Sequence, residues 1–455
     1  MVSFCEILER ATRGPIMSSR DFDMKVLIPK ARELVEKYKI RYDPETPCPS
    51  DDDLADRIYQ AALDLYADTG TYVIDTERVI QFSRREIEEA VYEAPREAYF
   101  GEGPDRCVFR GRKPDDSEIP HCHVGSGTDT TEGVALKMVE AYGRISKAKT
   151  VSIPSVTAFG HLKSAAGSPV ETLAGISMMR IGREGLRRAG RPGMGIINHM
   201  SSCAQGISTI AASNPEFGAR PSDGWLVAPQ AELKIDYSSL NQVAYLTSWG
   251  ANIGQEAGPI MGGYAGGPEG TAVVTTAYCF HGILVARATY HLTYPVHITH
   301  VASTTPDMLF VVSTSGQAVT RNVGVPYYAL GYAAAGSATR QYFYEAAAYL
   351  LAIQSSGMGI EDVHPNKAVV TNGALPIDSE FTCSLGHGMA GITRKEANQI
   401  IKKLMKIYSD GIKNPPKGRT LDECYDIQTM KPDDDLRKTY DEAVGELGKL
   451  GIRFT

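Results

Sequence analysis

The sequence predicts an α/β protein built on a TIM (β/α)8 barrel, with mostly helical segments before and after it. From about residue 147, short apolar segments of strand length alternate with helical stretches, which is typical of βαβ units in a parallel sheet. Seven or eight such units over roughly 240 residues favour the barrel over an open doubly wound sheet, which is the alternative. No GxGxxG turn follows a predicted strand and no Walker-type phosphate loop is present, which argues against a nucleotide-binding sheet.

We therefore predict three regions along the 455 residues. Residues 1–145 form a mostly helical N-terminal extension, residues 146–392 form the barrel, and residues 393–455 form helices that pack on the barrel or in an oligomer interface.

The composition is that of a globular protein without a nucleic-acid or membrane partner. Hydrophobic residues make up 43% and charged residues 22% of the chain, and the net charge is −7. The eight cysteines include no CxxC pair, which fits a reducing cytosol. The N-terminus has no signal-peptide core, and the most apolar segment, 271–289, contains His281 and Arg287, so it is interpreted as a core helix. We expect a cytoplasmic location.

Capping signals place the helices of the two extensions. In the N-terminal part, apolar spacing predicts a helix over 20–40, Ser50 begins a second helix that Gly70 ends, and Ser83 with Glu86 forms a capping box. Frequent turns over 98–127 indicate a small β segment. In the C-terminal part, capping boxes are predicted at Thr393–Glu396 and Thr420–Glu423, and a last helix covers about 433–450.

Within the barrel region, seven apolar runs are candidate strands, and five longer stretches between them are candidate helices. The strands are Thr150–Pro154, Met194–Ile197, Leu233–Tyr237, Pro259–Tyr264, Val296–Thr299, Tyr327–Gly331 and Ala368–Thr371. The helices are Pro169–Ala189, Asn241–Trp249, Thr271–Thr289, Pro306–Thr320 and Thr339–Gln354.

One stretch, Arg191–Ser208, is interpreted as the functional loop. A short apolar strand runs there into small and polar residues, including Gln205, before Gly206. A buried strand that ends in such a loop presents functional groups at the carboxyl edge of a parallel sheet. An ordinary strand and turn is the alternative.

Acidic, aromatic and imidazole side chains near the ends of other predicted strands are further candidates. Carboxylates neutralise a small cation and aromatic faces attract it, so this mixture predicts a site for a small cationic compound. The alternatives are capping or surface roles for the acids, core packing for the tyrosines and buried structural roles for the histidines. The candidates are Glu232, Glu256, Tyr264, Glu269, His297, Tyr327 and Tyr328.

Two other classes of site are not predicted. His121 and His123 lie on either side of Cys122, on one face of a predicted strand, and a second set, His291, His297 and His300, lies within a ten-residue stretch further along the chain. Neither set has the further ligands at fixed spacing that a metal site requires. A serine-hydrolase site lacks its GxSxG turn. No tightly bound cofactor or metal is expected.

The chain resembles the monomethylamine:corrinoid methyltransferases of methanogens over nearly its whole length. The resemblance rests on phrases that occur in order, from IPKARELVEKY and DTGTYVIDTERVIQFSRREIEEAV near the N-terminus to GRTLDECYD at Gly418–Asp426. Between them lie AGRPGMG at Ala189–Gly195, AQG at 204–206, ELKID at Glu232–Asp236, GGYAGG with its following Glu269, and YPVHI at Tyr294–Ile298. The resemblance implies a TIM barrel, a separate corrinoid protein as partner, and a homo-oligomer, with a hexamer as its form.

The chain departs from the pattern of the family it resembles at Gln205. Family members have pyrrolysine immediately before the Gly of AQG, and its electrophilic ring is thought to add the amine and present the methyl group to cobalt. An amide cannot form that adduct, although it can hydrogen-bond. The loop before Gln205, IINHMSSC, also differs from the family's longer segment. A recoded amber codon written as Gln is the alternative. Glu232 lies in a matched phrase, which implies an active-site acid; Glu256, Tyr327 and Tyr328 lie in less closely matched stretches.

These expectations combine into one functional hypothesis. The chain transfers a methyl group from a small N-methyl compound, cationic or quaternary, to Co(I) of a corrinoid protein that carries the corrinoid cofactor. Gln205, Glu232 and Glu256 act in catalysis, and Tyr264, Glu269, His297, Tyr327 and Tyr328 bind the substrate. The alternatives are a pyrrolysine-dependent monomethylamine enzyme, a TIM-barrel lyase or hydrolase that shares only the fold, and a non-catalytic scaffold for the corrinoid protein.

Overall fold

A computed structural model describes residues 2–197 and 204–455 and shows an α/β protein, which confirms the predicted fold class. Eight parallel strands succeed one another along the chain, and each is followed by a helix. The strands are β1 His123–Val124, β2 Thr150–Val151, β3 Gly195–Ile196, β4 Gly224–Val227, β5 Asn252–Ala257, β6 Tyr290–Thr293, β7 Tyr327–Tyr332 and β8 Gly359–His364. The helices are Glu132–Gly143, Pro169–Arg188, Gly206–Ala212, Tyr237–Trp249, Pro268–Leu284, Pro306–Asn322, Arg340–Ser355 and Pro376–Gly388.

The eight strands form two parallel sheets that adjoin each other. One has the order β4–β5–β6–β7–β8 and the other the order β3–β2–β1. A parallel bridge between Cys122 and Ile360 joins β1 to β8. On the other side, the Ile196 amide donates to Asp223 Oδ1 over 3.0 Å, and Asp223 directly precedes β4. The boundary predicted at 145/146 falls between β1 and β2, which pair His123 with Thr150.

Several strand predictions were wrong in position. Lys234–Ile235 is a strand, but it pairs with Thr71–Val73 instead of the main sheets. Ile260–Met261 and Val296–His297 pair with each other as short extensions beyond β5 and β6. Residues 369–371 form no strand, and β8 lies before them. The predicted strands at Thr150–Pro154, Met194–Ile197 and Tyr327–Gly331 coincide with β2, β3 and β7. Other main strands were missed because they carry polar residues, such as those in NIGQEA of β5, and so are not continuous apolar runs.

The extensions agree with their capping signals, with one exception. Ser83–Glu86, Thr393–Glu396 and Thr420–Glu423 form capping boxes as predicted. The second N-terminal helix is capped by Asp51 instead of Ser50, because the Asp51 carboxylate accepts from the Leu54 amide. The helices of these parts are Phe4–Arg13, Ser19–Asp21, the π-helical Phe22–Leu27, Ile28–Lys37, Asp52–Thr69, Arg84–Glu93, Arg394–Tyr408, Leu421–Cys424 and Asp434–Lys449.

The remaining strands form small separate sheets of two or three strands around the main sheets. Besides those already named they are Arg78–Ile80, Glu97–Phe100, Cys107–Arg110, Asp129–Thr130, Ser155–Val156, Ala158–Phe159, Leu162–Lys163, Tyr425–Asp426 and Lys431–Pro432. The hairpin of Glu97–Phe100 and Cys107–Arg110 fulfils the prediction of a small β segment over 98–127.

Aromatic side chains fill the space between the sheets at the amino ends of the strands. We call Phe100, Phe109, Tyr290 and Tyr328 the lower aromatic cluster. All four side chains are fully buried, and they pack with leucines from β4, β6 and β7. Tyr290 and Tyr328 stack with their ring centroids 6.2 Å apart. This apolar floor leaves the carboxyl ends of the same strands as the place for polar groups.

Candidate functional site

A carboxylate and two tyrosines meet at the carboxyl ends of three adjacent strands. Glu256 lies near the end of β5, Tyr294 directly follows β6, and Tyr332 ends β7. The two phenol rings contact edge to face, with centroids 6.2 Å apart. All three side chains are partly accessible to solvent, whereas the side chains of the lower aromatic cluster beneath them are fully buried. All three are therefore only partly covered, above an apolar floor.

The environment of this group strongly disfavours charge. Burial raises the pKa of Glu256 to about 7, so the carboxyl group exchanges a proton near neutral pH. Burial, and then the charge of Glu256, raises the pKa values of Tyr294 and Tyr332 far enough to keep both phenols protonated. A bound cation would lower the pKa of Glu256 again by stabilising its charged form.

Glu232 is a second buried acid next to the first. Only 1% of its surface is exposed. Its Oε1 accepts from the Ile260 amide over 3.0 Å, and the Tyr278 hydroxyl lies 3.4 Å from its Oε2. Burial raises the pKa of Glu232 to about 7 against the lowering effect of these hydrogen bonds.

Tyr294 brings the two acids into one site. The charges of both Glu256 and Glu232 contribute to the raised pKa of Tyr294, so its phenol lies within electrostatic range of both carboxyl groups. We call Glu232, Glu256, Tyr278, Tyr294 and Tyr332 the carboxylate–tyrosine cluster. Two acids that titrate near neutral pH beside neutral phenols can bind a small cation and exchange one proton with it.

A glycine makes room for the central tyrosine. A Cβ atom added at Gly258 would lie 2.2 Å from Cε2 of Tyr294, which is closer than real Cβ contacts occur. Gly258 lies between Glu256 and Ile260, the residue whose amide binds Glu232. The backbone of this segment therefore positions the ring and both acids together.

Gln205 lies on a different element, at the start of the helix Gly206–Ala212. Its side chain is half-buried, and its Cγ would lie 3.5 Å from a Cβ added at Gly167. The neighbouring Gly206 amide donates to Ser238 Oγ over 2.7 Å. The predicted functional loop before Gln205, residues 198–203, lies outside the described residues.

A buried carboxylate fixes this segment. Glu171, which is 2% exposed, accepts from the Ala204 amide over 2.6 Å and from the Gly167 amide over 3.0 Å. It also accepts from the Ser208 hydroxyl over 2.8 Å. The residues on both sides of Gln205 are thereby tied to the loop that contacts its side chain.

Tyr264 and Glu269 lie on an outer cavity instead. This cavity has a volume of about 430 Å³ and lies between the helix Ile28–Lys37 and residues 263–270. Tyr264 is 47% exposed, and Lys234 Nζ lies 5.7 Å from its ring centroid. Glu269 Oε1 accepts from the Tyr42 amide over 3.1 Å, so this acid joins the N-terminal extension to the start of a helix.

His297 lies on another small cavity, of about 220 Å³, together with Tyr42, His300 and Asp307. Its Nδ1 accepts from the Thr299 amide over 3.0 Å, and its ring centroid lies 4.6 Å from that of His300. Partial burial lowers the pKa of His297 despite Asp307 beside it. This arrangement orders a turn beyond β6.

Tyr327 and Tyr328 point to opposite faces of β7, because successive side chains alternate along a strand. Tyr328 belongs to the lower aromatic cluster. Tyr327 packs in the larger core formed with the surrounding helices, where burial raises its pKa. The structure thus brings Glu232 and Glu256 together and places the predicted tyrosines elsewhere.

The tyrosines of the site, Tyr278, Tyr294 and Tyr332, were not among the predicted site residues. Tyr294 lies in the matched phrase YPVHI and follows β6 directly, so a correct assignment of YHLT as a strand would have placed it at the carboxyl edge. The hydrogen bond from Tyr278 to Glu232 depends on packing across 46 positions of sequence and has no local signal.

Across residues 2–197 and 204–455, no group of three or more His, Cys, Asp or Glu side chains has the arrangement of a metal site. The helices in this part of the chain are also too short or too polar for one of them to cross a bilayer.

Acids and tyrosines at the carboxyl ends of parallel strands are the kind of groups that active sites of α/β enzymes present at that edge. The family model for monomethylamine methyltransferase MtmB matches residues 2–452. The chain therefore belongs to this family, and the prediction of a methyltransferase is confirmed.

Relatives and solved structures agree with this assignment. The chain is 29% identical to monomethylamine methyltransferase MtmB2 of Methanosarcina barkeri over 453 residues, which covers 99% of this chain and 98% of the relative. It is also 29% identical to MtmB1 of Methanosarcina acetivorans over 453 residues, with the same coverage. The crystal structure of Methanosarcina barkeri MtmB superposes with a TM-score of 0.95 at 27% identity, over 99% of this chain and 98% of that one. A hydroxylamine complex of MtmB superposes equally well, with a TM-score of 0.95.

Proposed function

We propose that this chain transfers a methyl group from a small cationic N-methyl amine to Co(I) of a cognate corrinoid protein. The observation that carries the proposal is the carboxylate–tyrosine cluster above the apolar floor. Glu256 and Glu232 offer negative charge to a cationic nitrogen, and the rings of Tyr294 and Tyr332 offer aromatic surface to its methyl groups. The corrinoid is the methyl acceptor and is carried by the partner protein.

The chemistry asks little of the protein beyond orientation and charge. Cobalt(I) is itself the nucleophile, so no general base is needed for the attack. The nitrogen must carry positive charge when its bond to the methyl carbon breaks, because an uncharged amine leaves as a very poor anion. The acids keep the donor cationic and hold its nitrogen away from the open side, so that the methyl group points towards the entering cobalt.

We propose that Gln205 acts without the electrophilic ring of pyrrolysine. Gln205 follows β3, which is the strand of its sheet that lies nearest to β4 of the other sheet. Glu171 binds the backbone amide of Ala204, directly before Gln205. Its amide can orient the donor by a hydrogen bond but cannot form a covalent adduct with an amine. This supports a donor whose nitrogen is activated by positive charge, as in a protonated tertiary amine or a quaternary amine. Intact mass measurement of the natural protein tests whether residue 205 is glutamine.

We also propose that the eight strands close into a TIM barrel, extended by residues 1–145 and 393–455. The Cys122–Ile360 bridge supports closure on one side, and the hydrogen bond from Ile196 to Asp223 supports it on the other. In such a barrel the cluster lies at the catalytic mouth. A homo-oligomer, with a hexamer as its form, and a cytoplasmic location belong to the same proposal, together with roles for Tyr264, Glu269 and His297 around the site.

The test is a screen of N-methyl compounds with the reduced corrinoid protein, read from the cobalt absorption spectrum. We expect trimethylamine or tetramethylammonium to convert Co(I) to methyl-Co(III), and monomethylamine to fail because residue 205 offers no electrophile. Turnover of monomethylamine by protein shown to contain Gln205 would contradict the role given to this residue. A screen in which every donor fails would contradict the proposed function.

A further inference from the structure

A line of polar side chains crosses the apolar interior below the active site. His121 Nε2 lies 2.9 Å from Thr150 Oγ1, and the same hydroxyl lies 2.9 Å from His123 Nδ1. His123 Nε2 then lies 3.8 Å from Glu361 Oε1, which in turn lies 3.9 Å from His364 Nε2. Polar groups so deep in a protein interior cost free energy, and the apolar residues around them would pack as well without them.

The line connects two accessible spaces. At one end, His121 borders a cavity of about 210 Å³ that opens beside the exposed residues Glu118 and Ile119. At the other end, the ring of His364, whose Nε2 lies 3.9 Å from Glu361, contacts the ring of Tyr332 edge to face with centroids 5.6 Å apart. His121, His123, Thr150 and Glu361 are each at most 7% exposed. The line thus leads from the amino ends of the strands to the carboxylate–tyrosine cluster.

Each group in the line can accept a proton on one side and donate one on the other. Burial lowers the pKa values of His121 and His123, so both rings are neutral, with one N–H donor and one bare nitrogen acceptor. His121 can donate to the Thr150 hydroxyl, which can donate to His123 Nδ1, leaving His123 Nε2–H directed at Ser152 and Glu361. The separations of 3.8 and 3.9 Å are those that a bridging water or a small side-chain movement closes.

We propose that His121, Thr150, His123 and Glu361 form a proton path that reprotonates Glu256 while the corrinoid protein covers the active site. The proposal rests on the proposed function, because cobalt must approach the methyl carbon from the open carboxyl side and thereby closes that side to water. The path then remains as a route for protons. It assigns the substrate as a protonatable N-methylamine, since a quaternary donor needs no proton.

The proton balance for such a donor is one proton per turnover. The donor enters the site as the neutral amine and takes the proton of Glu256 on its nitrogen, which makes it the cation from which the methyl group is transferred. The electron pair of Co(I) forms the bond to the methyl carbon, the carbon–nitrogen bond breaks, and its electron pair stays on nitrogen. The products are the demethylated neutral amine, methyl-Co(III) and the Glu256 carboxylate. One proton from the lower cavity then restores the carboxyl group.

Thr150→Val tests the path, because it keeps the shape and removes the hydroxyl that joins the two histidines. Thr150→Ser keeps the hydroxyl, and Ser152→Ala removes a side branch on His123 without breaking the line. With trimethylamine we expect T150V to slow single-turnover methylation of Co(I) by about ten- to a hundredfold and to flatten its pH profile, with wild-type rates in T150S and S152A. With tetramethylammonium, all the variants should react at the wild-type rate.

Wild-type rates in T150V with trimethylamine would overturn the proposal. An equal slowing of T150V with both donors would also overturn it, because the hydroxyl would then support the structure only. If neither donor methylates cobalt in the wild type, the proposed function fails, and the path is tested by infrared spectroscopy after a pH jump in the complex with the corrinoid protein. T150V must then delay protonation of Glu256, whose band is assigned by its loss in E256Q; equal rates would exclude the path.

Discussion

The same two strands carry a pair of tyrosines at each end, and the two pairs have different surroundings. Tyr290 and Tyr328, at the amino ends of β6 and β7, stack at 23° among apolar side chains, with the neutral ring of His123 edge-on to Tyr328. Tyr294 and Tyr332, four residues further along, meet at 73° beside Glu256. The centroid separation is 6.2 Å in both pairs. The residue type therefore does not define the site; its position along a parallel strand does.

The lower pair, Tyr290 and Tyr328, is fully buried, and the upper pair, Tyr294 and Tyr332, is only partly covered. Apolar packing at the amino ends is what keeps the strand ends above it in place, since protein interiors are close-packed and transmit small displacements. Substitutions in the lower pair should change stability, and substitutions in the upper pair should change activity. The predictions below test this division, beginning with the largest effect.

Glu256→Gln should cause the largest loss of activity. It keeps the shape of the side chain and removes the charge, so the methylation rate of Co(I) with a cationic donor should fall by about a hundred- to a thousandfold. The melting temperature should hardly change, because a neutral group is already favoured there. Glu132→Gln, which alters a helix-end acid bound to Ser177, is the matched control and should keep its activity. Full activity in E256Q would remove Glu256 from the site.

Gly258→Ala should displace Tyr294, one of the two tyrosines of the upper pair. The added methyl group would lie 2.2 Å from the Tyr294 ring, so the ring must move away from both acids. We expect activity to fall by about ten- to a hundredfold, since misplacement of about 1 Å has effects of this size. A crystal structure of the variant should show a displaced Tyr294. Gly133→Ala, where the added atom meets no neighbour within 4 Å, serves as a control.

The hydroxyl groups of the two pairs allow a direct comparison. Tyr332→Phe should lower activity by about tenfold and leave the melting temperature unchanged, because its phenol faces the cluster. Tyr328→Phe should leave activity unchanged and change stability by about 1 kcal/mol, because its hydroxyl is fully buried. Activity assays and urea unfolding of both variants measure the division, and a reversed pattern would contradict it.

The sequence predicted local features of the structure well and long-range contacts poorly. Helix ends were predicted well, because capping boxes such as Ser83–Glu86 are local hydrogen-bonded units. The alternation of strands and helices indicated the α/β class and located β2, β3 and β7. It missed β5 and β6, because the sequences of these strands, NIGQEA and YHLT, include polar residues. Glu232 was found through a matched phrase. Its partner Tyr278 lies on another element, and only the folded chain brings them together.

The smallest expected effect concerns Glu232 and the pH dependence of stability. Its pKa rises from 4.5 to about 7 on folding, so the folded chain holds this proton more tightly than the unfolded chain. Stability from this group is therefore fully present below about pH 4.5 and is lost as the pH rises through about 7. The shift corresponds to about 3 kcal/mol as an upper value.

Glu232→Gln cannot lose a proton, and its amide can keep the bonds to Ile260 and Tyr278. We expect the free energy of unfolding of E232Q to decrease less than that of the wild type between pH 5 and pH 9, by about 1 to 3 kcal/mol. Glu184→Gln is the control: arginines lower the pKa of this exposed acid to about 2, so it is charged at both pH values and its replacement should leave the slope unchanged. Equal slopes for E232Q and the wild type would show that Glu232 titrates as an ordinary acid, and its place in the cluster would then rest on geometry alone.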